Sequence, residues 1–405
     1  MFFIPLVSEA RSLTWSQAVA LAGQNSMEYQ AALLNYKSIE EAETSGISGF
    51  LPKISASASG TQGTAPGISS TQTYAAQLSL SQNLFSGLSD INTYFLKKIN
   101  TRQALATLNS VRSKLSQELK QAYAEVFYIQ DYKKLVADIL KRRMENKRNV
   151  QLQYDVGREN KGSLLLSQSY VESADFDVLK TTHDEDVATE NLKRVLGLSS
   201  DEAISISDNI AKDELKKETP DFNSIANQHP DVLSAQYDEA ASLYNLKITR
   251  SGFLPSLDLT GSYGYSGLTF FPDQDRWSVG LTLSIPLFDG LRTVSSYRSA
   301  DAKFESNKYL TKSSHLKTGL FVKQSYYNYV EAIQKEKISE GFSRAAVLRA
   351  EVSRSKYKNG FLTFEQWDIV ETDLIARQKE MLSSEKDRII KQSLWEQAQG
   401  IGVFQ

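Results

Sequence analysis

Gly49-Phe50-Leu51-Pro52 is spelled again as Gly252-Phe253-Leu254-Pro255, and Leu84-Phe85-Ser86-Gly87-Leu88 comes back as Leu287-Phe288-Asp289-Gly290-Leu291. Both pairs keep an offset of 203 (252 − 49 and 287 − 84). So do Lys120-Gln121-Ala122-Tyr123 with Lys323-Gln324-Ser325-Tyr326, and Tyr154-Asp155-Val156-Gly157 with Tyr357-Lys358-Asn359-Gly360. Agreement at separated places makes the chain two copies of one unit of roughly 200 residues, too long for a solenoid repeat. The copies occupy 11–199 and 220–405, around a charged linker or equatorial segment, 200–219, that contains a strand-like Ile204-Ser205-Ile206. Past the paired Gly157 and Gly360, Glu172 aligns with Glu371 at an offset of 199 (371 − 172), which predicts four extra residues in the first copy within 158–166. Residues 1–10, apolar and then small at Ser8 and Ala10, read as a signal-peptide remnant, although the basic start of such a signal is missing.

Within each copy the hydrophobic period changes. Residues 15–45 and 222–250 have helical spacing, and each stretch runs up to its Gly-Phe-Leu-Pro, where proline bars continuation. Period two follows. Ile54, Ala56 and Ala58 alternate with Ser55, Ser57 and Ser59, as Leu257 and Leu259 do with Asp258 and Thr260. Beyond predicted loops at 60–73 and 266–276, Leu78 and Leu80 alternate with Gln77, Ser79 and Ser81, and Val279, Leu281, Leu283 and Ile285 with Gly280, Thr282 and Ser284. Each copy thus holds one hairpin whose strands, about ten residues long, suffice to cross a bilayer when tilted.

Long helices come next. Residues 89–156 contain neither proline nor glycine, and Leu108, Val111, Leu115, Leu119, Ala122, Val126, Ile129, Val136 and Leu140 recur at close to the coiled-coil period. Residues 293–358 are the counterpart, and at 1.5 Å per residue each helix reaches on the order of 100 Å. After the glycine turns, helices return over 163–196 and 364–399, so each copy ends in a long antiparallel hairpin.

Composition excludes several classes. A mean hydropathy of −0.36 argues against a multi-span helical membrane protein, and no run of eighteen apolar residues exists to make one membrane helix. Net charge of −2 gives no reason to invoke nucleic acid, and Lys141-Arg142-Arg143 reads as a solvated helix face. With no cysteine, disulfides and thiolate metal sites are excluded. His183, His229 and His315 lie far apart and read as surface or packing residues, and no Walker loop, nucleophile elbow or His-Glu-x-x-His motif is present. The glycines at 261, 264 and 267 fall in and after a strand with no helix behind them, so they are hairpin glycines. No catalytic, cofactor-binding or metal-binding residue is assigned.

Four strands cannot close a barrel, and unpaired backbone is not tolerated in hydrocarbon, so the membrane reading requires several chains. Two would bring eight strands and three would bring twelve, of which the larger leaves room for a water-filled lumen. The duplication, the Gly-Phe-Leu-Pro before each first strand, Ile285-Pro286-Leu287-Phe288-Asp289-Gly290 at the second strand-to-helix junction, and the tyrosine-glycine tips together resemble the TolC-like outer-membrane factor family. The resemblance implies an α/β membrane protein, mostly α: a homotrimer with a twelve-stranded outer-membrane β-barrel continuous with a long periplasmic α-helical barrel. It implies a passive exit duct of a tripartite efflux pump or type I secretion system in a Gram-negative outer membrane, in contact with outer-membrane lipid. Its partners are then a periplasmic adaptor (membrane fusion) protein and an inner-membrane transporter. The alternative is a periplasmic coiled-coil structural or adaptor protein with a small soluble sheet. Tyr263, Tyr265, Phe270, Phe271 and Trp277 favour the duct, since aromatic residues suit a membrane interface.

The resemblance also assigns residues. Val156, Gly157, Asn359 and Gly360 form the tips that meet the adaptor. Phe85, Gly87, Pro286, Phe288 and Gly290 form the barrel-to-helix junction, with the two phenylalanines expected to pack at equivalent positions around the assembly. Leu291 stands where a second glycine is usual, and the first copy has Gln82-Asn83 in place of Ile285-Pro286. Tyr357 matches a closing tyrosine at the tunnel entrance. The usual acidic positions fall on Gln366 and Ile369 and the usual arginine on Leu362, but Glu365, Asp368 and Glu371 follow at steps of three on one helical face. They read either as a shifted gate, in which threefold repetition crowds like charges and attracts cations, or as a solvated outer face.

Overall fold

The computed structural model describes residues 11–65, 68–212 and 219–404; the signal reading of 1–10 falls outside them. The elements are β1 (Arg11–Leu13), α1 (Trp15–Asn25), α2 (Met27–Thr44), β2 (Lys53–Ala65), β3 (Ile68–Ser86), α3 (Ser89–Asp155), α4 (Lys161–Leu196), β4 (Ile204–Ile206), α5 (Phe222–Gln228), α6 (Pro230–Ser251), β5 (Ser256–Gly267), β6 (Gln274–Ser284), α7 (Arg292–Lys358) and α8 (Phe364–Ala398). The order helix, helix, hairpin, long helix, helix occurs twice, and the chain is mostly helical.

Each first helical stretch, expected to be continuous, is broken in two. The breaks fall at Ser26 and His229, which are 203 residues apart (229 − 26) and both out of helical backbone, with ψ of 118° and 135°. Pro230 opens α6 at a position where its missing N–H leaves no bond unmade. The predicted four-residue insertion is not there. The helices after the tips start behind N-caps at Asn160 and Thr363 and are followed by left-handed glycines at Gly197 and Gly400, and both pairs keep the offset of 203 (363 − 160 and 400 − 197). The chance match of two glutamates suggested a gap that the caps rule out.

The chain forms two compact units. One comprises Met1–Ala32, Asn109–His229 and Lys317–Gln405, and the other Leu33–Leu108 and Pro230–Leu316. In the first, Leu115, Leu119, Ala122, Val126 and Ile129 of the predicted seam are buried with Leu13, Ala22, Leu192 and Leu196. Strand β1 pairs in parallel with β4, so the strand-like tripeptide of the linker does form a strand. Tyr123 locks this corner: its hydroxyl donates to Asp208 Oδ1 at 2.6 Å and lies 3.2 Å from the Leu13 carbonyl, while Asp208 also accepts from the Trp15 N–H. Burial, followed by the hydrogen bond to Asp208, pushes the Tyr123 hydroxyl far above the usual tyrosine range. Lys212 reaches Glu336 at 2.6 Å and Glu385 at 2.7 Å, and Arg388 reaches Glu336 at 2.8 Å, tying the linker to α7 and α8.

The second unit carries a single antiparallel sheet in the order β2-β3-β5-β6, so β3 and β5 join the two hairpins. The expected first loop is mostly strand. Gly60 pairs with Tyr74 and Gln62 with Gln72, because polar residues are compatible with a ribbon that covers no core. The second loop shrinks to 268–273. Directly opposed residues share a face, and the register separates two chemistries. Ile54-Leu80-Gly261-Val279 and Ala56-Leu78-Tyr263-Trp277 form rows on one face, while Ser55-Ser79-Ser262-Ser278 and Lys53-Ser81-Thr260-Gly280 form rows on the other. The apolar face is not covered: Trp277, Val279, Leu281 and Leu283 are 74%, 71%, 63% and 62% exposed. Strands β2 and β6 have no outer neighbour among the described residues.

Candidate functional site: tip turns and entrance cluster

Both tips have the same turn. The N–H of Gly157 bonds to the Tyr154 carbonyl and that of Arg158 to Gln153; the N–H of Gly360 bonds to Tyr357 and that of Phe361 to Lys356. This is the paired closure of a helix by a left-handed residue, with φ of +76° at Gly157 and +77° at Gly360. Nothing lies within 4 Å of where a Cβ would stand at either glycine, so conformation and not space selects glycine there. Asn160 and Thr363 then cap the returning helices, Thr363 in a reciprocal box with Gln366. Val156 and Phe361 are 68% and 78% exposed, leaving one apolar side chain on each turn.

Behind the second turn, Tyr357, Phe364 and Trp367 pack with Val150. The Tyr357 and Trp367 rings stack at 4.7 Å, and the Tyr357 hydroxyl and the Trp367 indole N–H are buried without hydrogen-bond partners among the described residues. Burial, helped by Glu159 and Glu365, pushes the Tyr357 hydroxyl up to about 12, so it stays neutral.

The three candidate carboxylates do not share one environment. Glu365 is exposed. Asp368 receives Arg143 at 3.1 Å and the Tyr170 hydroxyl at 2.8 Å, with the Arg143 guanidinium 4.1 Å from the Tyr170 ring centre. Glu371 is fully buried, 3.1 Å from Arg354 of α7 and 3.5 Å from Arg142 of α3. The basic run at 141–143 is therefore not a solvated face throughout. Arg143 is buried and Arg142 nearly so, because acids of α8 stand opposite them. Sequence reading missed Arg142, Arg143 and Arg354 as members of this cluster; a run of cations on an otherwise apolar-patterned helix was the available signal. A polar cavity of about 310 Å³ adjoins it, lined among others by Asp138, Lys141, Arg142, Glu351 and Arg354.

The profile of the outer membrane efflux proteins matches residues 18–198 and 222–392, covering both repeats with their hairpins, tips and returning helices. The chain belongs to the outer membrane efflux protein family. Among relatives, the alkaline protease secretion protein AprF of Pseudomonas aeruginosa is 25% identical over 335 residues, 76% of this chain and 68% of AprF. The outer membrane efflux protein BepC of Brucella suis is 23% identical over 297 residues, 72% of this chain and 64% of BepC. The chain thus spans about two thirds of the length of those relatives. Its fold is that of the outer membrane protein VceC from Vibrio cholerae, with a TM-score of 0.85, 16% identity and 96% of each chain covered.

The junction turns are also duplicated. Gly87 and Leu88 have φ of +62° and +72°, and Gly290 and Leu291 both +70°. A leucine in that region costs on the order of 1–2 kcal/mol, so both copies hold a strained residue where α3 and α7 start. Ser86 caps α3 through Asp90, and Asp289 accepts from the Thr293 N–H and hydroxyl. A Cβ at Gly87 would meet the Ser251 carbonyl oxygen at 2.8 Å and Leu254 at 2.9 Å, whereas nothing crowds Gly290. Strand β6 ends at Ser284, two residues before Pro286, whereas β3 continues to Ser86 through a bulge at Leu84. Within one chain Phe85 is 38% exposed and Phe288 82%, so neither is buried there. Phe288 lies past the end of β6, where no described residue buries it.

Proposed function

We propose that three copies of this chain close their sheets into a twelve-stranded outer-membrane barrel, continued by helices into a periplasmic tunnel. The assembly is the passive exit duct of a tripartite efflux or type I secretion system. What supports this is the open sheet, with one uncovered apolar face, one hydroxyl-rich face and two free edges. Its four strands alternate in direction, so β6 of one copy meets β2 of the next in the antiparallel sense, and the ring closes without an edge. Apolar residues then face lipid and serines and threonines face water. A small soluble sheet would need a layer over Trp277, Val279, Leu281 and Leu283, and their exposure favours the duct. Repeats 11–199 and 220–405 flank the 200–219 linker on this reading.

The tips, Val156-Gly157 and Asn359-Gly360, dock on the periplasmic adaptor that joins the duct to an inner-membrane transporter. Tyr357, Glu365, Asp368 and Glu371 form the entrance, but as a clasp: Asp368 and Glu371 hold the α7–α8 hairpin to Arg142 and Arg143 of α3. Because the chain lacks cysteine, introduced pairs report without background. With one cysteine at Ser57 in β2 and another placed in turn at Ser278, Gly280 and Thr282 in β6, oxidation in outer membranes should give covalent dimers and trimers. Purely monomeric product at every β6 position would refute edge-to-edge closure.

A further inference from the structure

The strand section holds few charges, and they are unevenly shared between its faces. Among the described residues of β2, β3, β5 and β6 only Lys53, Asp258, Asp275 and Arg276 are charged, and residues 64–71 contain no charge in sequence. The register sorts them. Asp275 lies in the row Ala58-Ala76-Tyr265-Asp275, at the loop end of the apolar face. Lys53, in the row with Ser81 and Thr260, and Arg276, in the row Ser57-Gln77-Gly264-Arg276, both lie on the hydroxyl face, as does Asp258 opposite Asn83 and Thr282.

Their partners differ as well. Asp258 accepts from the Asn83 amide at 3.1 Å, close to the junction. Lys53 and Arg276 are exposed, and the side chain of neither makes an ion pair or hydrogen bond with any described residue. Arg276 lies four residues further out than the row of Lys53, or about 13 Å along the strands. The hydroxyl face therefore offers one paired anion at its helix end and two free cations further out, over a lining that is otherwise serine, threonine, glutamine and glycine with Asn83 and Ala75.

We propose that the strand section of the duct is an anion-preferring pore, in which Lys53 and Arg276 favour acidic and multiply charged anionic cargo over cationic cargo. This rests on the three-copy duct. Threefold repetition turns each residue into a ring of three cations, and rings of Lys or Arg in a low-dielectric wall concentrate anions between them. Hydroxyl groups between the rings solvate an anion in transit without holding it, and the lone acidic ring at Asp258 is outnumbered two to one. The two rings, about 13 Å apart and beyond one Debye length at 0.1 M salt, act on a passing anion in sequence.

The test uses the full chain reconstituted in planar bilayers at about 0.1 M salt, with inositol hexakisphosphate as polyanion probe and hexaamminecobalt(III) as polycation probe, each added to either side in turn. From the strand-end side the polyanion should block the ionic current and the polycation should not. The double variant K53Q/R276Q should raise the half-blocking polyanion concentration by about tenfold or more, and the charge-conserving K53R/R276K should restore block. Channels that conduct but are blocked equally by both probes, or whose polyanion block is the same in K53Q/R276Q, would overturn the anion preference and leave the duct standing. Failure of the chain to form any channel would overturn the duct itself, and the preference with it.

Discussion

Glu371 is fully buried between two arginines, which makes the consequence of neutralising it calculable. Glu371→Gln keeps the shape but leaves Arg142 and Arg354 facing an amide. Breaking a buried ion pair from one side commonly costs 3–5 kcal/mol. Here the loss lies at or below the low end, because Arg142 retains the Gln378 amide oxygen at 2.9 Å and Asp138 at 3.5 Å, and the Arg354 side chain is 34% exposed. About 2 kcal/mol is the expected loss, equivalent to about a thirtyfold rise in the opening equilibrium of the α7–α8 hairpin. Hydrogen exchange of reconstituted trimers should show that acceleration in residues 364–378 and little change around Tyr123. Single-channel conductance should rise in Glu371→Gln and also in Arg354→Gln, since either change opens the clasp. A ring of crowded like charges behaves otherwise: there the arginine variant would leave the carboxylates unbalanced and draw cations more strongly, with increased divalent block. Unchanged exchange across 364–378, or opposite conductance responses in the two variants, would refute the clasp.

At the junction, Gly87→Ala should lower trimer melting more than Gly290→Ala; both lose glycine's freedom at positive φ, worth about 1 kcal/mol, but only at Gly87 does a Cβ strike the Ser251 carbonyl and Leu254. Phe288→Ala should cost less than about 1 kcal/mol, not the 3–5 kcal/mol of a buried phenylalanine, because its ring is 82% exposed; a large drop in melting temperature would mean that a neighbouring copy covers it. Burial raises the Glu336 carboxyl, but hydrogen bonds from Lys212 and Arg388 outweigh it and hold the pKa below the usual carboxylate range. A group depressed in the folded state stabilises above its unfolded pKa, about 4.3, and that contribution is lost as pH falls through the folded value. Melting curves from pH 7 to pH 3 should therefore fall less steeply in Glu336→Gln than in the parent.

The repeat, the helix ends and the strand faces were legible because each is local. Proline and glycine mark boundaries, and period two or 3.5 marks a face. What depends on a distant segment was not legible. Lys141-Arg142-Arg143 looks solvated until Asp368 and Glu371, more than two hundred residues away, are placed against it. Only the outer part of the first hairpin, 60–73, reads as loop, because Gly60, Thr61 and Gln62 supply no apolar signal; their pairing with 72–74 is held by backbone hydrogen bonds. The equivalent packing expected of Phe288 and Phe85 concerns the assembly, and within one chain strand β6 stops before Pro286 and leaves Phe288 exposed. The supposed insertion rested on one glutamate pair, and caps at Asn160 and Thr363 decide the alignment better than side-chain identity does.

The unpaired edges at β2 and β6 have a genetic consequence. If every barrel needs three intact copies, a subunit whose β6 edge is spoiled but whose β2 edge is sound still joins a ring and prevents its closure. A cell producing equal amounts of intact and spoiled chains would then retain only about one eighth of its ducts, as random threefold mixing dictates. Alleles that damage an edge would be dominant, whereas alleles that abolish folding altogether, and so never enter a ring, would be recessive.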